Sequence, residues 1–139
     1  MKRTMLLWCF AATAALWSPA FAETAGREKI VSGQVAASVL KLRDLEVGSD
    51  GSVTGTIVNG SGVAMKDVEL LVSHVWSWAD EHHPGEDSPG RVGHVRVTGE
   101  IPAKGSTAFS YTPNPSLPKR TDGSFQTTVA VQSFTEIGD

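Results

Sequence analysis

Between Asp67 and Ala79 the chain sets Val68, Leu70, Val72, His74, Trp76 and Trp78 on every second position, opposite Glu69, Leu71, Ser73, Val75 and Ser77. A period of two sends neighbouring side chains to opposite faces of an extended strand, whereas a helix gathers positions three and four apart. The segment therefore reads as a strand with one apolar face. A strand this long is not stable alone and needs other strands beside it and a second layer over its apolar face. At ~3.4 Å per residue it also exceeds the usual strand length, so a bend or bulge is expected near His74.

The rest of the chain agrees with this. No window carries apolar spacing of three and four over three turns, and Gly or Pro recurs throughout. Shorter alternating runs cover Ser38 to Val47, Ser52 to Asn59, Val92 to Thr98, Thr107 to Tyr111 and Phe125 to about Ile137. They are separated by turn residues, among them Gly48-Ser49-Asp50-Gly51, Gly60-Ser61-Gly62 and Ile101-Pro102-Ala103-Lys104-Gly105. Phe134 breaks the parity of Phe125, Thr127, Val129 and Val131, which predicts a bulge near Ser133. Six or seven strands at this spacing predict an all-β fold, an immunoglobulin-like antiparallel β-sandwich spanning 38–139. Its expected inner residues are Leu42, Ile57, Val68, Leu70, Val72, Val97, Phe109, Val129 and Val131.

The first 22 residues read as a cleaved signal peptide. Met1-Lys2-Arg3 gives a positive start, Met5 to Trp17 is almost wholly apolar or small, and Ala20-Phe21-Ala22 is a signal-peptidase site. The apolar run falls short of the ~20 residues that span a bilayer as a helix, and no second one follows, so no membrane span is expected after cleavage. The periplasm, or secretion from a bacterium, is the expected location. Residues 23–37 mix charge, glycine and small side chains and read as a flexible leader with at most a short strand at Ile30-Val31. Cys9 is the only cysteine, so cleavage removes every route to disulfides, thiol nucleophiles and thiolate metal sites. Of 12 basic and 15 acidic side chains, only Lys2 and Arg3 leave with the signal. The acidic balance that remains argues against a nucleic-acid binder, which needs a basic face to displace phosphate counterions.

Four stretches carry a resemblance. Leu40-Lys41-Leu42-Arg43-Asp44, Gly51 through Gly62, Met65-Lys66-Asp67-Val68-Glu69-Leu70 and Ile101 through Phe109 together resemble the bacterial FxLYD-type immunoglobulin-like domains. The likeness covers about 70 residues. It implies a small exported sandwich of accessory function with no catalytic residues to carry over. The chain adds to that plan the insertion from Trp76 to Arg91. In the matched stretches, Asn59, Gly60 and Gly62 suit a turn that needs positive φ, and Gly105 suits the turn before Phe109.

Three chemistries are candidates. His74, His82, His83 and His94 fall within one stretch that also holds Asp80, Glu81, Glu86 and Asp87. Imidazole with carboxylate suits zinc or copper, so Asp80, Glu81, His82, His83 and His94 form a candidate metal set, against the alternative of a solvated hairpin tip. Adjacent His82 and His83 point apart in an extended chain, and no recognised metal motif is present. Catalysis has little support: no Gly-x-Ser-x-Gly elbow or phosphate loop occurs, and no enzymatic role or cofactor is expected. Trp76 and Trp78 share a face at a strand end beside charged residues, so with Arg91 they form a candidate partner-binding set. The alternative is that the tryptophans plug one end of the core. We therefore expect a non-enzymatic periplasmic interaction or accessory module with a protein partner. The alternative function is a periplasmic metal-binding protein using residues 74–94.

Overall fold

The computed structural model describes residues 28–80 and 87–138. The signal-peptide reading of 1–22 and the first part of the leader, 23–27, lie outside the described residues, as do Glu81, His82 and His83.

Alternating segments become strands wherever the sequence repeats with period two. In chain order they are β1 (Glu28–Ser32), β2 (Leu40–Val47), β3 (Val53–Asn59), β4 (Met65–Trp78), β5 (Arg91–Val97), β6 (Ser106–Tyr111) and β7 (Gly123–Ile137), with a short helix α1 (Gly33–Val39) between β1 and β2. They form two antiparallel sheets, ordered β1-β7-β4-β5 and β2-β3-β6. The fold is an all-β sandwich of seven strands. β4 and β7 are the longest strands, pair along most of their length from Met65↔Glu136 to Trp78↔Gly123, and form the spine of the larger sheet.

The inner faces of the two sheets make one core. Val68, Leu70 and Val72 from β4 and Val131 and Phe134 from β7 meet Leu40, Val53, Ile57 and Phe109 from the smaller sheet. Of the expected inner residues, Leu42, Val97 and Val129 are only partly buried and pack against this cluster. Met65, Ile101 and Phe134 are completely or almost completely buried without having been expected there. Met65 and Ile101 are joined by an isolated bridge with backbone bonds of 3.0 and 2.7 Å in both directions.

Irregularities set the parity. In β7 the register passes from Glu69↔Ser133 to Leu70↔Val131, so Gln132 is an extra residue and both Val131 and Phe134 turn inward, in line with the bulge predicted near Ser133. β4 does not bulge near His74; its register with β5 and β7 is continuous there. Its irregularity lies at Asp67, which has a φ of 50°, in the gap between the pairs Lys66↔Thr135 and Glu69↔Ser133. A second left-handed residue, Asp44, sits in the bulge between Arg43 and Glu46 of β2 and reverses the alternation expected beyond Leu42. The β3–β4 corner also differs from the expected positive-φ turn. Asn59 is buried, and its amide donates to the Val63 and Pro102 carbonyls at 2.8 and 3.0 Å while its oxygen accepts from the Ser61 N–H and hydroxyl at 2.9 and 2.8 Å. Asn59 is thus a hydrogen-bond hub, and the left-handed residue of the next turn is Lys104, not Gly105.

The expected leader is folded from Glu28 onward. Every residue of β1 pairs with β7, from Glu28↔Ile137 to Ser32↔Ser133, and Glu28 accepts from Lys66 at 2.6 Å. Val31 is the one β1 side chain turned into the core, and Ala36 of α1 is fully buried behind it. With a single inward residue, β1 is too short to show its alternation, and its partner lies about a hundred positions further on.

Candidate functional site

β4 outruns β5. Pairing with β5 stops at His74↔Arg91, while Val75 to Trp78 continue along β7 opposite Gln126 to Gly123. This brings both tryptophans beside the start of β7 and the proline-rich crossing that precedes it. The Trp76 ring packs edge-on against Trp78, with centroids 5.9 Å apart, and against Phe125 at 4.7 Å. The Arg120 guanidinium lies 4.9 Å from the Trp78 ring and 5.7 Å from the Trp76 ring, and donates from Nε to Asp122 at 2.8 Å and from Nη2 to its other oxygen. A cation over an aromatic face contributes about 0.5–1 kcal/mol at an exposed site, and here the carboxylate also fixes its orientation.

A cavity of about 490 Å³ opens next to this cluster. Trp76, Phe125, Leu117 and Pro118 supply apolar wall, Lys119 and Arg120 supply positive charge, and the turn Gly48 to Gly51 forms the opposite side. That turn is fixed by a Gly51 N–H bond to the Gly48 carbonyl at 3.0 Å and by Asp50, whose carboxylate accepts from the Ser52 hydroxyl and N–H at 2.6 and 3.0 Å. Those two bonds hold the Asp50 carboxyl below its ordinary pKa, so it remains charged. Gly51 has a φ of 84°, and Leu117 lies against its α-carbon where a side chain would stand.

Behind Trp76 the same face of β4 carries His74, 1% exposed. Its Nδ1 is 2.9 Å from the Thr127 hydroxyl, its ring stacks on Tyr111 at 5.9 Å, and Phe125 meets it edge-on at 6.5 Å. Burial, and then the charge of Arg91, hold this imidazole below its ordinary pKa, so it is neutral near pH 7. Tyr111 reaches across from the smaller sheet over Gly93, where a side chain would collide with the phenol. Arg91 donates from Nη2 to the Pro115 carbonyl and so ties β5 to the proline-rich crossing. Among the described residues, three buried polar atoms here have no hydrogen-bond partner: His74 Nε2, Trp76 Nε1 and Arg91 Nε.

The expected binding set is thus partly joined. Trp76 is 7% exposed and acts as the end plug of the core. Trp78 is half-buried at the rim, and Arg91 shares a depression of about 290 Å³ with Trp76 and His74. Arg120, which the sequence shows only as part of a charged crossing, turns out to be the cation that both tryptophans meet. An Arg-x-Asp spacing next to a strand start was its only local signal.

Of the candidate metal set, Glu81, His82 and His83 lie outside the described residues, and the two that are described, Asp80 and His94, stand apart. His94 is exposed on β5 opposite Leu71, while Asp80 follows the end of β4. Seven residues of strand, roughly 24 Å, separate the Leu71 position from Trp78. Asp80 leaves toward β7, where the Ala79 N–H bonds the Asp122 carbonyl at 2.9 Å. Among the described residues, no three His, Asp or Glu side chains come together in a way that could hold a metal ion. No described helix is long and apolar enough to cross a membrane.

In the comparisons with known proteins, no family model, no curated protein and no solved structure matches the chain.

Proposed function

We propose that the protein is a non-enzymatic interaction or accessory module of the periplasm, exported by a cleaved signal peptide, and that it meets a protein partner at the tryptophan end of the sandwich. The observation that carries this reading is the Trp76–Trp78–Arg120 cluster at the mouth of a cavity. Tryptophan and arginine are the side chains that most often dominate a protein contact, and here one of each stands half-buried or exposed beside a rim of serine and lysine. The likeness to FxLYD-type domains points the same way, toward accessory work without catalysis. Among the described residues, the one deeply buried titratable group at this end, His74, is held in an aromatic stack and bonded to Thr127, which suits packing better than proton transfer.

The test is capture of partners from a periplasmic extract by the wild-type chain, by Trp78→Ser and by Val63→Ser. Val63 is an exposed side chain beyond the other end of β4. Proteins retained by wild type and by Val63→Ser but lost with Trp78→Ser are the expected result. Equal capture by all three would reject the tryptophan end as the contact.

A further inference from the structure

β1 covers only part of the flank that β7 turns away from β4. It pairs with Ser133 to Ile137, and among the described residues no strand pairs with that flank from Gly123 to Gln132. The inner face registers the missing cover. Across the ladder from β4 to β7, Val72, His74 and Trp76 are buried, whereas their partners Val129, Thr127 and Phe125 are each partly exposed. A depression of about 290 Å³ lies between this flank and β2, with Leu42, Val129 and Val131 on its walls. A strand edge in this state presents free backbone N–H and C=O groups and templates a further strand.

The other edges are guarded and this one is not. β2 carries Lys41, Arg43, Asp44 and Glu46 with a bulge, β5 carries Arg91, His94 and Arg96, β1 carries Glu28 and Lys29, and β6 is only 6 residues long. Charge, bulging and shortness are the usual means of keeping an edge from pairing. From Gly123 to Gln132 there is no charged side chain and no proline. Such an edge has no charge with which to select a foreign strand, and none that opposes a copy of itself. β1 enters from the Ile137 end of β7, so the chain that precedes it is attached at the far end from the bare stretch.

We propose that two copies of the chain pair antiparallel along this edge, about a twofold axis at Thr127, so that their four-stranded sheets become one. A twofold contact uses the same patch on both copies, and residues directly opposite each other share a face. The axis at Thr127 sets Phe125 against Val129 of the second copy on the inner face, an aromatic and β-branched pair of the kind that stabilises sheets. On the outer face it sets Gln126 against Thr128 and Ser124 against Ala130. An axis at Thr128 would put Gly123 against Ser133, where Ser32 of β1 already stands. At Thr127 the ladder ends with Gly123 against Val131, clear of β1, and is still longer than an ordinary strand of about 5–6 residues. The pairing is made by the flank of β7 away from β4, so Trp78 takes no part in it and it is independent of the contact proposed above.

The experiment is sedimentation equilibrium of the purified chain, as wild type and as two variants altered on the outer face. Gln126→Lys/Thr128→Lys sets like charges directly opposite each other across the axis, and Gln126→Glu/Thr128→Glu does the same with the other sign. Both positions are exposed, so both variants are expected to fold as the wild type does, which circular dichroism checks. Wild type is expected at twice the chain mass. Each variant alone is expected to self-associate at least about tenfold more weakly, and an equimolar mixture of the two to return to twice the chain mass. A monomeric wild type, whether bare or with another protein's strand on this edge, would overturn the proposal. So would a dimer that survives in either variant, or variants that stay monomeric when mixed. Trp78→Ser is expected to leave the mass unchanged, so loss of partner capture and loss of the dimer are separate results.

Discussion

Gly123 and His74 show how single positions shape the tryptophan end. A methyl group at Gly123 would lie 2.3 Å from the Ser77 carbonyl oxygen as well as against the Trp76 ring, and backbone cannot step aside as a flexible side-chain tip can. Gly123→Ala is expected to destabilise the fold by about 1–3 kcal/mol in denaturant titration, as overpacking does. His74 acts through its proton. Its pKa in the fold lies below its ordinary value of 6.5, because burial and then Arg91 disfavour the charged ring. As pH falls through the ordinary value the unfolded chain takes up a proton that the fold refuses, so stability falls with pH until the folded pKa is reached. One proton gives a slope of at most about 1.4 kcal/mol per pH unit. His74→Gln is expected to flatten the wild-type decline in thermal midpoint below pH 6.5, and an identical decline in the variant would contradict this. His74 facing inward with Trp76 was legible from the alternation of β4. Gly123 was not, because its role depends on the ring that faces it across the sheet.

Among the elements, β2 to β7 were legible because each repeats with period two and all but β4 adjoin glycine or proline at one end, and even the β7 bulge followed from Phe134 breaking parity. The bulges at Asp44 and Asp67 escaped because left-handed aspartates leave no pattern in the sequence. The short strand read at Ile30-Val31 lies within β1, but its full length, its pairing and α1 escaped for a different reason. Their place is set by tertiary pairing with β7, not by local periodicity. Ile30 is 76% exposed and Val31 7%, so the two neighbours separate a folded edge strand from a loose leader. Val31→Ser is expected to lower stability by about 1.5–3 kcal/mol, the value of burying such a side chain, while Ile30→Ser stays within about 0.5 kcal/mol. Equal and negligible effects in denaturant titrations would return β1 to the leader.

At the scale of the molecule, the sandwich has two unlike ends. One is closed by Asn59, Met65 and Ile101, with their polar atoms bonded. The other gathers Trp76, Trp78, Phe125 and Arg120 around a cavity and, among the described residues, keeps three buried polar atoms without partners. The sequence placed the two tryptophans on one face at a strand end, but three further features lay beyond it. Arg120 reaches them only through the path of the 113–122 crossing, the cavity forms between turns about seventy residues apart, and His94 and Asp80 are drawn apart because β4 outruns β5. Function at the open end is the central claim, and photo-crosslinking in growing cells tests it most directly. Ser116→p-benzoylphenylalanine puts the reactive group on the exposed cavity rim, and Val63→p-benzoylphenylalanine puts it beyond the other end of β4. A discrete adduct from position 116 and none from position 63 is the outcome expected for these two sites. No adduct at position 116, or the same adducts at both, would contradict an interaction surface at the tryptophan end.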